Sequence, residues 1–197
     1  MNTSVTLRTA GGADAPHVHR LIADNLEAGH LLPRTLEDVR LNISRFVVAL
    51  VEDAVVGCAE LAPLSRDVAE VRSLVVAEAF RGRQIGPALV ANVAAAATGR
   101  GFSTLCAFAH EPAHFVRMGF TIVPHIWVPE KIAHDCTSCS LFRRCGQHAV
   151  MLPLRAGAHV GPERPAAVIH GTRPTARRLA LRPVTEAEPD SVEAIPA

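Results

Sequence analysis

The chain has 197 residues, 49% of them apolar, and a net charge of +1. That length can bury one full core with a small appendage, and so apolar and nearly neutral a chain excludes whole-chain disorder and a nucleic-acid partner. Aromatic residues make up 4% and Tyr is absent, which removes the usual stacking platform for single-stranded nucleic acid. Met1–Arg8 reads as no secretion signal and no apolar run approaches a membrane span, so the expectation is a cytoplasmic protein without a membrane partner.

In chain order, Val5–Thr9 predicts a first strand. Asp14 stands before Ala15-Pro16 as an N-cap, and Val18, Leu21, Ile22 and Leu26 recur at helical spacing up to a stop at Gly29. Thr35 predicts the cap of a second helix, with Asp38 as capping-box partner and Leu36, Val39 and Ile43 as the buried stripe. Phe46–Val51 and Val55–Leu61 read as a hairpin about Glu52-Asp53-Ala54, and Val68–Val76 as the next strand. A loop rich in Arg and Gly follows, Arg81-Gly82-Arg83-Gln84-Ile85-Gly86, then a helix over Gly86–Ala97 that ends at Gly99 to Gly101. Ser103–Phe108 predicts a strand, Glu111–Met118 a short helix stopped at Gly119, and Phe120–Val123 and Val150–Leu154 the last strands. This alternation is an α/β order. From about Arg155 the composition turns to Pro, Ala, Arg, Glu and Gly, and Leu179–Val184 is its one apolar stretch. The expectation is one domain over residues 1–154 and a disordered or loosely docked tail over 155–197.

The loop at 81–86 carries chemistry. A glycine-containing loop that feeds a helix N-terminus aims backbone N–H groups and the positive end of the helix dipole at one place, which suits a pyrophosphate. Arg81 and Arg83 add fixed charge, and Pro87 fits a first helical turn, where its missing N–H is no loss.

This stretch resembles the acetyl-CoA-binding motif of the GNAT N-acetyltransferases, Arg/Gln-x-x-Gly-x-Gly/Ala after a strand. Arg81 and Gly86 match, whereas Gln84 stands where that family usually has its first glycine. Further segments resemble the short bacterial amino-acid N-acetyltransferases akin to N-acetylglutamate synthase: Leu31-Leu32-Pro33-Arg34-Thr35, Arg45-Phe46-Val47-Val48, Gly57-Cys58-Ala59-Glu60-Leu61, Glu70–Val76, Phe115 to Phe120, and Pro129 to Cys145. The likeness runs from about Val5 to Leu154. It implies a mixed, mostly antiparallel central sheet flanked by helices, and acetyl-CoA as co-substrate. It also implies that Leu74, Val75 and Val76 hold the pantetheine arm, and that Arg81, Gly82, Arg83, Gln84, Ile85, Gly86 and Ala88 hold the pyrophosphate. The family's frequent general acid, a Tyr before the Gly-Phe pair, is Phe115 here.

Acetylating an amine requires a group that takes a proton from the ammonium. Glu60 lies in an apolar strand, where it is either that base, a solvent-facing residue or a member of an ion pair. A glutamate acceptor has two carboxylates, so its pocket calls for cations. Arg34, Arg72 and Lys131 are the candidates, with Ser73 beside them, and Arg72 could instead form a buried pair with Glu60 or Glu70.

The five cysteines read as thiols or metal ligands rather than a disulfide framework. Cys136, Cys139, Cys145 and His148 have the types and spacing of a Cys3His zinc site, built on a loop; an iron–sulfur cluster, a redox thiol set or plain reduced thiols remain open. Cys58 and Cys106 read as core residues. His110-Glu111-x-x-His114 matches the zincin spacing, but Pro112 places it at a helix start. The function expected is N-acetylation of the L-glutamate α-amine, the first step of arginine biosynthesis. Another amino acid or small amine as acceptor, a non-catalytic regulatory module, and a homodimer all stay open.

Overall fold

The computed structural model describes residues 4–26, 31–139 and 141–155. The expected stop at Gly29 and the tail, except Arg155, lie outside the described residues.

Strand β1 (Thr6–Thr9) leads into α1 (Ala15–Ala23). Asp14 precedes that helix as expected, yet it does not cap it. Its carboxylate is taken by Arg8, at 2.6 Å and 2.9 Å, and by the Gly11 N–H at 2.7 Å, and so closes the short turn before the helix instead. Helix α2 (Leu36–Asn42) is capped by Thr35, whose Oγ1 accepts the Asp38 N–H at 3.1 Å. The Asp38 side chain does not return the bond to Thr35; it goes to Arg34.

β2 (Phe46–Val51) and β3 (Ala54–Pro63) form the predicted hairpin. Glu52 and Asp53 both have positive φ, 49° and 64°, the mirror-image turn whose twist matches two antiparallel strands. β4 (Val68–Val76) pairs antiparallel with β3, α3 (Ile85–Gly99) crosses over, and β5 (Thr104–Ala109) returns parallel to β4. Then come α4 (Ala113–Arg117), β6 (Thr121–Val123), α5 (Pro129–Lys131) and β7 (His148–Pro153). The seven strands lie in the order β1-β2-β3-β4-β5-β7-β6, antiparallel except for β4–β5.

Period-two alternation sends β2 side chains to two cores. Val47, Ala49 and Val51 meet α3 through Leu89, Val93 and Ala97 on one face. Phe46 and Val48 meet α1 and α2 through Val18, Ile22 and Val39 on the other. No described helix is long and apolar enough to cross a membrane.

Most expected boundaries move by one or two residues, and one segment changes character. β7 begins at His148 rather than Val150, and the segment after Pro129 is not an open loop. It is a succession of short helical turns, with a π-helical turn over Ile132–Cys136 and a tight turn over Phe142–Arg144.

Gly57 is where α3 approaches the sheet most closely. A Cβ there would stand 3.1 Å from Leu89 Cδ1, 3.2 Å from Ile85 Cγ2 and 3.2 Å from the Val75 carbonyl oxygen. The carbonyl is backbone and cannot step aside. Gly57→Ala is therefore expected to cost about 1–3 kcal/mol of stability, read by urea unfolding; an unchanged midpoint would show that α3 can lift off the sheet without loss.

Candidate active site

The site begins where two strands separate. β4 pairs with β5 only at Val68, Ala69 and Glu70. Beyond Glu70 no residue of β4 has a partner on β5. Two irregularities accompany the separation: the β3–β4 register shifts between Cys58 and Glu60, and Ser73 takes a left-handed φ of 48°. A bulge of this kind bends a strand and re-aims its side chains. The result is a cleft of about 1630 Å³ that contains the predicted Leu74, Val75 and Val76, Glu60, Arg34, Arg72, Ser73 and Lys131 in its wall.

At one end of the cleft stand Arg81, Gly82, Gln84, Ile85, Gly86 and the start of α3. Arg81 is held in place: its Nε donates to the Val76 carbonyl at 3.2 Å and its Nη2 to Asn25 Oδ1 at 2.7 Å. No side chain caps α3, so the first N–H groups of a fifteen-residue helix face the cleft end. Two predicted members do not join them. Arg83 packs over the Phe80 ring at 5.0 Å. The Ala88 N–H is already donated to the Gln84 carbonyl at 3.1 Å, closing the first helical turn.

The other end is a set of charges taken out of water. Glu60 is 1% exposed and accepts Arg34 Nη1 at 2.8 Å. The same Nη1 lies 3.4 Å from Ser73 Oγ, and Arg34 Nε donates to Asp38. Burial works against the Arg34 charge, but the bonds to Asp38 and Glu60 outweigh it and raise the guanidinium further. Arg72 stands opposite Glu60 in the register but bonds to Glu70, at 2.6 Å, and to Asp135. Of the two pairings open to it in the sequence, the structure makes the one with Glu70. Lys131 Nζ meets Glu70 at 2.7 Å and 2.9 Å, Asp135 at 2.8 Å, and the Phe108 ring at 5.2 Å. Burial alone would raise the Asp135 carboxyl, but the bond from Lys131, then His134 and the charge of Arg72, bring it below its ordinary value. Every one of these groups is paired, as buried charge requires.

Residues 17–120 match the Acetyltransferase (GNAT) family. The chain belongs to that family. It is 32% identical over 148 residues to an uncharacterized N-acetyltransferase of Chlorobaculum tepidum, an alignment that spans 75% of this chain and 96% of that protein. It is 33% identical over 127 residues to an amino-acid acetyltransferase of Shewanella oneidensis, across 64% of this chain and 28% of the relative. In three dimensions it superposes on N-acetylglutamate synthase from Neisseria gonorrhoeae, complexed with coenzyme A and N-acetyl-glutamate. The TM-score is 0.70 at 27% identity, over 79% of this chain and 36% of the other. The chain thus spans about a third of the length of these last two proteins.

Against the GNAT pattern, Gln84 is the instructive departure. It occupies the position usually held by glycine and still adopts the glycine conformation, φ 60° and ψ 15°. The position of the family's Tyr is filled by Phe115, buried in an edge-to-face contact with Phe120 at 5.2 Å. The adjoining His114 also lines the cleft, and burial, then Arg117, lower its pKa. Cys58 is no candidate nucleophile: burial, then the Glu60 charge, push its thiol up to about 12, and its Sγ donates to the Ser73 carbonyl at 3.4 Å.

The expected metal site is not assembled. Among the described residues no group of three His, Cys, Asp or Glu side chains is placed to hold an ion. The reason is local. His148 is the first residue of β7, paired opposite Ala109 and exposed, while Cys145 is exposed on the other side of Gly146. Cys136 and Cys139 are half-buried on the turn beside Asp135. The zincin spacing fails for a similar reason, because α4 starts at Ala113 and leaves His110 off the helix. Cys58 and Cys106 are buried core residues, as expected.

The sequence left Glu70 open as a partner of Arg72 but missed it as the partner of Lys131, and missed Asp38 and Asp135 as partners of the cations. Asp135 had a signal, through its place in the Pro129–Cys145 segment; Asp38 needed the helix face.

A left-handed non-glycine residue costs on the order of 1 kcal/mol. Gln84→Gly is expected to raise stability by about 1 kcal/mol in urea unfolding. A loss of stability would mean that the Gln84 side chain supplies more than its backbone costs.

Proposed function

We propose that the chain transfers the acetyl group of acetyl-CoA to the α-amine of L-glutamate, with the activity in residues 1–154. One observation carries the reading: three cations, the half-buried Arg34 and Arg72 and the buried Lys131, face one cleft that also holds a buried carboxylate and an uncapped helix start. The likeness to an amino-acid acetyltransferase and to N-acetylglutamate synthase supports it.

The assignment of parts follows from the chemistry. Arg81 and the backbone of Gly82, Gln84, Ile85 and Gly86 face the pyrophosphate, since fixed N–H dipoles and one guanidinium neutralise it without reorganising. The free edge of Leu74, Val75 and Val76 takes the pantetheine amides as an added strand and turns an N–H toward the thioester oxygen. Arg34, Arg72, Ser73 and Lys131 bind the carboxylates of the acceptor. Glu60, directly or through water, accepts the ammonium proton. The neutral amine attacks the thioester carbon, the C–N bond forms, the nitrogen gives up its second proton to water, the C–S bond breaks, and coenzyme A leaves as a thiolate. With Phe115 in place of a Tyr, that thiolate takes its proton from solvent. The product would enter arginine biosynthesis at its first step.

A second reading keeps the reaction and changes the acceptor to another amino acid such as glutamine. It is favoured by Asp135, which already neutralises Arg72 and Lys131.

The deciding assay is acetyl-CoA-dependent thiol release by the full chain with a panel of free amino acids. Preference for L-glutamate is expected; preference for another acceptor selects the second reading, and no release with any amine overturns both. Arg72→Ala is expected to raise the KM for the acceptor about 10–100-fold, the worth of one charged hydrogen bond, with the KM for acetyl-CoA unchanged. Glu60→Gln is expected to lower kcat by about 10²–10⁴. An unchanged kcat would remove Glu60 from the chemistry.

A further inference from the structure

Arg72 and Lys131 converge on one oxygen. Both donate to Oδ2 of Asp135, Lys131 at 2.8 Å. Behind them stands Glu70, which meets Lys131 with both oxygens and Arg72 Nε with Oε2. The two carboxylates are not equivalent. Both line the cleft, but the Glu70 side chain is 4% exposed and lies on β4, whereas that of Asp135 is 28% exposed and lies on a helical turn outside the sheet. Glu70 is the permanent counter-ion, and Asp135 is the outer one. Asp135 stands four residues after Lys131 along the helical turns of this segment, the spacing that sets two side chains on one face.

We propose that Asp135 is a specificity-determining residue, whose carboxylate stands where the side-chain carboxylate of an acceptor amino acid would be held. The inference rests on the reading that this cleft binds an amino acid. With Glu70 and Asp135 both in place, the two cations are matched by two anions. An incoming carboxylate must displace Asp135 or lie against it, at a like-charge cost in a partly dry site. An amide of the same size meets no such opposition: its oxygen accepts from Arg72 or Lys131 and its NH2 donates to Asp135. Asp135 therefore holds down the preference for a carboxylate side chain over the corresponding amide. Removing only its charge leaves Glu70 to balance one of two cations, and the remaining charge selects for the anion.

Two measurements on the full chain test this. In the first, the ratio of kcat/KM for L-glutamate to that for L-glutamine is compared between the wild type and Asp135→Asn. A rise of at least tenfold is expected, carried by the KM for glutamate, with the KM for acetyl-CoA unchanged. A ratio that stays the same or falls overturns the proposal, because a residue that merely braces Arg72 and Lys131 would weaken glutamate binding when removed. The second needs no turnover. Calorimetric binding of glutarate, a five-carbon dianion, is expected to tighten at least tenfold in Asp135→Asn, while its monoamide shows no gain; equal or weaker glutarate binding, or no binding to either protein, overturns the proposal. Should Asp135→Asn not fold, as judged by circular dichroism, Asp135→Ser removes the same charge and is read in the same way. Glutarate tightening without acetylation of either amino acid would refute the acetyl-transfer reading and leave the charge assignment standing.

Discussion

The parting of β4 from β5 after Glu70 is the constraint on which the site depends. Two neighbouring parallel strands in a sheet core ordinarily satisfy each other's backbone groups along their length. Here the pairing lasts through Val68, Ala69 and Glu70 and then stops, leaving Leu74–Val76 with a free edge inside the protein. A free edge at depth is costly unless something else hydrogen-bonds to it, and an extended amide-bearing molecule is the natural occupant. The left-handed Ser73 and the register shift at Cys58–Glu60 are how β4 leaves its partner without unravelling from β3. Close to those same irregularities Glu60 meets Arg34, so the bend that opens the cleft also lies beside a buried ion pair in its wall.

The second constraint is electrostatic. Glu60, Glu70 and Lys131 are buried, and a buried charge is tolerated only when paired and hydrogen-bonded. The solution is a pair of chains, one running Glu60–Arg34–Asp38 and the other Glu70 with Arg72 and Lys131 to Asp135. Each chain starts on the sheet and ends on a helical turn outside it. The carboxylates Glu60 and Glu70 are set by strand register; the outer members, Asp38 in α2 and Asp135 on the π-helical turn, are more exposed. The charges of the cleft are thus anchored in the sheet and balanced from outside it.

How much of this could be read beforehand follows the same division. The order of elements along the chain, the hairpin at Glu52-Asp53, the Thr35 cap and the loop that feeds α3 were legible because periodicity and turn chemistry are local. Arg34, Arg72, Ser73, Lys131 and Glu60 were legible as members of family-like segments, and they do line one cleft. Their partners were not. Whether Arg72 turns to Glu60 or Glu70 depends on a register and a bulge that alternation alone does not reveal. Arg83 and Ala88 fit the loop by position, yet one side chain turns to Phe80 and the other N–H is consumed inside α3. The Cys136–His148 spacing suggested four ligands on a loop; placing His148 at the head of β7 fixes its direction by strand pairing and separates it from the turn that carries Cys136.

Gln84 shows why departure from a motif is not loss of the motif's backbone geometry. A glycine in such a loop serves two needs, a left-handed backbone and room for a ligand to approach. Gln84 meets the first at a cost of about 1 kcal/mol, since its φ of 60° is the one a glycine would take. The second is met because its neighbours Gly82 and Gly86 carry no side chains, and an added Cβ at Gly82 would meet nothing within 4 Å. Pro87 likewise removes a donor from the first turn of α3, but the N–H groups of Ile85 and Gly86 precede it and point the same way along the helix axis. What an anion needs from this loop is the direction of its dipoles, and backbone conformation supplies that direction whichever side chain is attached. The loop therefore keeps its geometry with a different residue, and the strain is carried by the fold around it.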